Sequence, residues 1–361
     1  MKFIHQVEPY LTENEGKAIS EYLGSGGWLT EFEKTETFER MIADFLGAKY
    51  AVVVTSGTVA LYLSMIALDI GPKNSVVVPD YTMIATPNSV KWAGADVSLC
   101  DIVRNTLCLD LNKIRLKKNT KALIYVAING RSGNMEEVVQ FCQNKKLFLI
   151  EDACQAFGSK WNNRFLGTFG DVGVFSFTPH KIITTGQGGV VITNDEKIYA
   201  NVKKLKDFCR VKPGVDVHTS IGYNFKFTDL QAVIGIEQLR IIDYRIKQKR
   251  EIYKTYVDNL SDLEFVEFLP IDLSQTVPWF VDILLKNIPR EKFISYIKEN
   301  GIGSRPFYPP VHSQEPYSDC EGSFSNTSEI VQRGVWLPSS VGLNFETIRY
   351  ITDTVRRFVM K

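Results

Sequence analysis

The sequence predicts an α/β protein with a large, mostly parallel sheet and a second, smaller α+β domain. Short apolar runs alternate with amphipathic stretches from about residue 50 through the first two-thirds of the chain. Those runs are apolar throughout, as strands buried on both faces of a parallel sheet are. Near Phe227 the rhythm changes to one long helical pattern followed by short mixed elements. A length of 361 residues fits about two domains at roughly 150 residues each.

The strands of the large domain are expected at 50–54, 75–78, 96–102, 122–127 and 147–152. Helices at 58–68, 83–92 and 135–145 fall between them; the first carries apolar residues at Leu61, Met65 and Leu68. A further strand ends near Phe177, and another covers 189–193. The pattern at 229–259 reads as one long helix. Its basic second half (Arg240, Arg245, Lys247, Lys249, Arg250) reads as a solvated face. A strand at 279–285 and helices at 290–300 and 345–359 complete the small domain. The division is therefore expected at 1–240 and 241–361, with the second part hinged on the long helix.

Composition narrows the function. A net charge of +1 argues against a grip on nucleic acid or anionic membrane, which needs clustered Lys and Arg. No run approaches the ~18 apolar residues of a membrane span. The start, Met-Lys-Phe-Ile-His-Gln-Val-Glu, does not read as a signal peptide. The six cysteines are scattered without a CxxC pair, as reduced thiols of a cytoplasmic protein are. None of the four histidines has zinc-ligand spacing, so no metal site is expected.

Three segments carry possible chemistry. Phe148-Leu-Ile-Glu-Asp152 is a buried strand ending in two acids at the carboxyl edge of the sheet, where open α/β sheets bind ligands. Asp152 there fits two readings: a cap for the next helix, or a proton holder for a ring nitrogen. Val52-Val-Val-Thr-Ser-Gly-Thr58 runs a strand into a small-residue turn and a helix start, whose free amides and dipole suit a phosphate. The motif is neither GxGxxG nor GxxxxGK[ST]. Finally, Ser176-Phe-Thr-Pro-His-Lys181 presents a lysine on a constrained turn among apolar residues. Such a lysine loses its proton more easily, as Schiff-base chemistry requires. A phosphate seat, an acid and an amine are the three parts that pyridoxal phosphate needs.

With these segments the sequence resembles the pyridoxal-phosphate-dependent nucleotide-sugar aminotransferases of the DegT/DnrJ/EryC type. Within them it is most similar to the perosamine-synthase type. The likeness runs nearly end to end. It rests on Thr55-Ser-Gly-Thr-Val-Ala-Leu61, Pro79-Asp-Tyr-Thr-Met-Ile-Ala-Thr86, Glu151-Asp-Ala-Cys-Gln-Ala-Phe-Gly158, Ser176-Phe-Thr-Pro-His-Lys181 and Gly186-Gln-Gly-Gly189. Gly222-Tyr-Asn-Phe-Lys-Phe-Thr-Asp-Leu-Gln231 and Arg305-Pro-Phe-Tyr-Pro-Pro-Val-His312 complete it.

The resemblance implies the pyridoxal-phosphate-dependent transferase fold type I, like aspartate aminotransferase. It implies that Lys181 forms the Schiff base and shuttles protons. Asp152 would keep the pyridine nitrogen protonated, and Gln155 would contact the ring hydroxyl. Gly57 and Thr58 amides and the Ser176 hydroxyl would hold the phosphate. Asn224 would reach the phosphate of a neighbouring subunit, so a homodimer with shared active sites is implied. Tyr308 and His312 would approach the sugar nucleotide. Met83 stands where many relatives stack an aromatic on the ring, and Cys154 where they carry a small alanine. Methionine can still pack on a ring through its sulfur.

The implied reaction is a two-stage transamination. L-glutamate gives up its amino group and leaves as 2-oxoglutarate, with pyridoxamine phosphate as the intermediate form of the cofactor. The amino group then passes to a nucleotide-linked keto sugar, as in amino-sugar and glycan biosynthesis. Carbon 4 of a 4-keto-6-deoxy sugar is the implied site. A 3-keto nucleotide sugar and a cyclitol ketone are the alternatives. Dehydratases of this fold replace the lysine with histidine, but five residues on from Ser176 stands Lys181, not His180. Regulators of this fold carry an added DNA-binding domain, for which no residues remain.

Overall fold

The computed structural model describes residues 3–212 and 214–358. Met1 and Lys2 of the chain start and Val359 of the expected last helix lie outside the described residues.

Two helices precede the sheet, α1 (Glu13–Gly24) and α2 (Glu33–Leu46). Thr12 and Glu15 close a capping box at the start of α1. The chain then runs through β1 (Tyr50–Val54), α3 (Gly57–Ala67), β2 (Ser75–Pro79), α4 (Ala85–Trp92), β3 (Asp96–Cys100) and β4 (Thr120–Val126). It continues with α5 (Met135–Lys145), β5 (Phe148–Asp152), the short hairpin β6 (Lys160–Trp161) and β7 (Arg164–Phe165), then β8 (Val172–Ser176), β9 (Gly189–Thr193) and α6 (Glu196–Lys206). Seven strands form one sheet in the order β1-β9-β8-β5-β4-β2-β3. β2, β3, β4, β5 and β8 run parallel, whereas β9 is antiparallel to both of its neighbours. The reversal has a local cause. The chain returns from β8 through a turn that holds no helix, and a parallel return needs a crossover. Gly186, at φ +78°, supplies left-handed backbone inside that return.

After the sheet come α7 (Asp229–Arg240), α8 (Ile242–Leu260), β10 (Val266–Glu267), β11 (Val281–Leu285), α9 (Arg290–Glu299), β12 (Arg305–Pro306), α10 (Ser325–Arg333), β13 (Gly334–Leu337) and α11 (Phe345–Arg357). A second, antiparallel sheet has the order β10-β11-β13-β12. Its core joins Ile252, Tyr253 and Tyr256 of α8 to Ile283, Phe293, Val335 and Ile351. The first core contains the large sheet and the helices around it. Among the described residues, no helix is long and apolar enough to cross a membrane.

Two expectations are corrected. The single helix over 229–259 is two, because the chain turns at Ile241 (φ −111°, ψ 24°). α7 packs on α1 and α2, and α8 then carries the chain from the first core to the second. The basic face of α8 is also not uniformly solvated. Arg240, at the end of α7, and Lys247 are exposed, but Arg245 and Lys249 are buried. Carbonyl oxygens explain this: Arg245 donates to Ile182 O and Tyr10 O, at 3.2 and 3.0 Å, and Lys249 Nζ donates to Trp279 O and Ser339 O.

Candidate active site

Parallel strands release their chains at one edge of a sheet, and that edge gathers the residues singled out by sequence. Ser176 ends β8, Asp152 ends β5, and α3 begins at Gly57, three residues beyond Val54 of β1. Ser56 caps α3, its Oγ accepting from Val59 N at 3.2 Å. Gly57 lies against Ser176 and Cys154. A methyl group on Gly57 would stand 2.9 Å from Ser176 Cβ and 3.1 Å from Cys154 Sγ. A side chain at Gly189 would strike the backbone of Ser56 and Gly57, so glycine lets β9 start against the helix.

The two acids of β5 face opposite ways, as strand alternation requires. Glu151 is buried and accepts from Gly167 N (2.7 Å), Phe169 N (2.5 Å) and Gly170 N (2.7 Å). Burial pushes its carboxyl up to about 7 despite these amides. It anchors the turn before β8. Asp152 is also buried; its Oδ2 accepts from Thr86 Oγ1 at 2.7 Å and its Oδ1 from Cys154 N at 3.2 Å. Asp152 thus caps a turn, but no helix follows it.

Lys181 follows the turn after β8, its amide bonded to Thr178 O at 3.0 Å. It shares a small cavity with Cys154, Gln155, Ser176 and Trp279. Its Nζ lies over the Trp279 ring, 3.6 Å from the centroid. Although the residue keeps partial surface access, burial lowers its ammonium to about 8, and the charges of Cys154 and Asp152 act in the opposite direction. Gln155 is buried and its Oε1 accepts from Asn129 N at 2.8 Å. Tyr308 comes from the far end of the chain, its ring 4.7 Å from that of Trp336. Burial raises its hydroxyl pKa, and Asp152 and Cys154 add to the effect, which puts Tyr308 in the same electrostatic neighbourhood.

Other expected site residues stand apart. His312 is held by Asp80 just beyond β2: its Nδ1 is 2.7 Å from Asp80 Oδ2 and its amide donates to Asp80 Oδ1 at 2.8 Å. Its ring stacks on Phe324. Met83 is 44% exposed, and its sulfur accepts from Ala85 N at 3.0 Å. Asn224 is exposed between α6 and α7, where it bridges to Asp207. His180 is exposed, and its carbonyl accepts the Trp279 indole N–H at 2.7 Å.

Sequence reasoning missed Trp279 and gave Thr86 no role. Thr86 lay inside a quoted motif, but Trp279 enters the site from the approach to β11, with no motif around it.

A profile of the DegT/DnrJ/EryC1/StrS aminotransferase family matches residues 9–356. The chain belongs to this family. It is 35% identical to GDP-perosamine synthase of Escherichia coli O157:H7, over 99% of each chain. It is 32% identical to GDP-perosamine synthase of Vibrio cholerae, covering 97% of this chain and 98% of the other. Among solved structures, the aminotransferase TlmJ of Streptoalloteichus hindustanus superposes with a TM-score of 0.94 at 27% identity, over 99% of each chain. The fold is therefore fold type I, and the protein is a pyridoxal-phosphate-dependent enzyme. The residues fit that cofactor. The Gly57–Ser176 contact leaves the helix start bare of side chain, Asp152 is a buried carboxylate, and Lys181 is an amine of lowered pKa in a cavity wall shared with Ser176.

Proposed function

We propose that the protein moves an amino group from L-glutamate to the keto carbon of a nucleotide-linked 4-keto-6-deoxyhexose, giving a 4-amino-4,6-dideoxy sugar for glycan biosynthesis in the cytoplasm. The observation that carries the reading is the position of Lys181. Its amine shares a cavity with Ser176 and Gln155, while neighbouring His180 is exposed. A lysine there favours amino transfer over the histidine-dependent dehydration. The substrate class rests on the relatives named for GDP-perosamine synthesis and on a 4-aminotransferase of a dTDP-4-dehydro sugar from Saccharopolyspora spinosa, 30% identical.

Pyridoxal phosphate, when bound, supplies an aldehyde for amines and a ring that draws off an electron pair. This chain's own residues do the rest. The Gly57 and Thr58 amides and Ser176 Oγ would hold the phosphate at the start of α3. The Asp152 carboxylate would hold a proton on the ring nitrogen, with Thr86 fixing its orientation. Gln155 would contact the ring hydroxyl, and Met83 would pack on the ring through its sulfur. Lys181 Nζ takes a proton from the α-carbon of glutamate and later gives one to the sugar carbon. Its lowered pKa leaves a useful fraction of free amine near neutral pH. Tyr308 and His312 would approach the sugar nucleotide. Asn224, exposed here, is offered to the site of a second copy in a homodimer.

The test incubates the purified enzyme with glutamate and a panel of 4-keto and 3-keto nucleotide sugars and follows 2-oxoglutarate. Release with a 4-keto sugar is expected. Activity confined to a 3-keto sugar or a cyclitol ketone overturns the assigned position.

A further inference from the structure

Lys181 does not rest against a carboxylate in this structure. Its Nζ lies 3.6 Å from the centroid of the Trp279 ring, closer than any other cation to a ring among the described residues. Indole is the strongest of the aromatic faces for an ammonium, more so where water is excluded.

The ring is held in place from two sides. Its Nε1–H donates to His180 O at 2.7 Å, so the residue next to the lysine grips the indole. Its own carbonyl accepts from Lys249 Nζ, which also donates to Ser339 O. Lys249 is buried without a carboxylate partner among the described residues. Its two donors satisfy two buried carbonyls that an apolar side chain would leave unpaired. The ring also stacks on Phe280, 3.8 Å between centroids. Trp279 is thus a fixed surface.

We infer that Trp279 is a positioning residue: its ring is the resting place of the Lys181 ammonium whenever that amine is not bonded to the cofactor. The inference rests on the proposed amino transfer, in which Lys181 would be displaced in the first half-reaction and recovered only at the end of the second. A free ammonium without a partner would stray toward Asp152, the acid needed at the ring nitrogen. The indole face holds it nearby without competing for that carboxylate. The other titratable groups around it are Cys154, Tyr308 and His180, with Arg305 acting on the last two.

The deciding measurement needs no cofactor and no substrate, so its failure is distinct from failure of the substrate reading. Tryptophan fluorescence of the cofactor-free protein is followed against pH. An ammonium against an indole quenches it, so emission should rise as Lys181 loses its proton. The step should vanish in both Lys181→Met and Trp279→Phe, each checked for native circular dichroism. A step retained in either folded variant overturns the inference, as does the absence of any step in the unaltered protein. With Trp279→Phe, turnover should also fall severalfold with the KM for glutamate unchanged. A KM change alone would count against a resting place.

Discussion

Thr86 Oγ1 donates a 2.7 Å hydrogen bond to Asp152 Oδ2, which joins the first turn of α4 to the last residue of β5. Thr86 is itself within 2.9 Å of Thr82 Oγ1, and all three side chains are buried. The carboxylate is therefore fixed before a cofactor arrives. Asp152→Asn should abolish most activity, because an amide does not hold the ring proton. Thr86→Val keeps the shape and removes only the donor. A hydrogen bond to a charged group contributes about 1.5–3 kcal/mol, so pyridoxal phosphate should bind roughly ten- to a hundredfold more weakly. Absorbance titration of the cofactor-free protein measures this, and unchanged affinity would remove Thr86 from the site.

Gly57 is a matter of space. Gly57→Ala places a methyl 2.9 Å from Ser176 Cβ and 3.1 Å from Cys154 Sγ, so β8 or α3 must give way. Overpacking costs about 1–3 kcal/mol, with the displacement falling on the phosphate seat. The expected outcome is a lower melting temperature together with loss of cofactor affinity. Cys154→Ala in the same chain removes one of the two obstacles and should recover part of both.

The pKa of Lys181 predicts a labelling profile. Burial sets its ammonium at about 8, against an ordinary 10.5. Only the free amine reacts with acetic anhydride, so in the cofactor-free protein its acetylation should level off above about pH 8. Exposed lysines should continue to gain reactivity toward pH 10 and beyond. Peptide mass spectrometry separates the sites. A Lys181 profile that parallels the surface lysines would contradict the buried setting.

These residues also mark what sequence can and cannot say. β1, β9 and α5 were readable to the residue, because apolar runs and caps are local signals. The gathering of Gly57, Asp152, Ser176 and Lys181 at one sheet edge was readable because each ends or follows a strand, and strand ends converge. The break at Ile241 carries neither glycine nor proline, so nothing local announces it. Arg245 and Lys249 looked like a solvated stripe because their carbonyl acceptors come from Tyr10, Ile182, Trp279 and Ser339, remote in the chain. Trp279 was silent for the same reason: its importance lies in a ring contact with a residue from another strand connection.

Lys249 yields a prediction whose sign depends on pH. Burial lowers its ammonium to about 7 in the folded protein, whereas the unfolded chain keeps about 10.5. Between these values the unfolded state binds more protons, so stability contributed by this site rises with pH across about 7 to 10.5. Below pH 7 the folded protein must carry a buried charge or forgo a proton, and the contribution is least favourable. Lys249→Met removes that titration but leaves two buried carbonyls, Trp279 O and Ser339 O, without their donor. Each unpaired group costs about 1–3 kcal/mol, so the variant should be less stable at pH 9. The gap should shrink steadily toward pH 7, where the unaltered protein loses its advantage. Urea unfolding of both proteins at pH 7, 8 and 9 measures the gap directly. A gap that is constant with pH means Lys249 titrates normally, and a gap that widens on acidification means it is held as a cation.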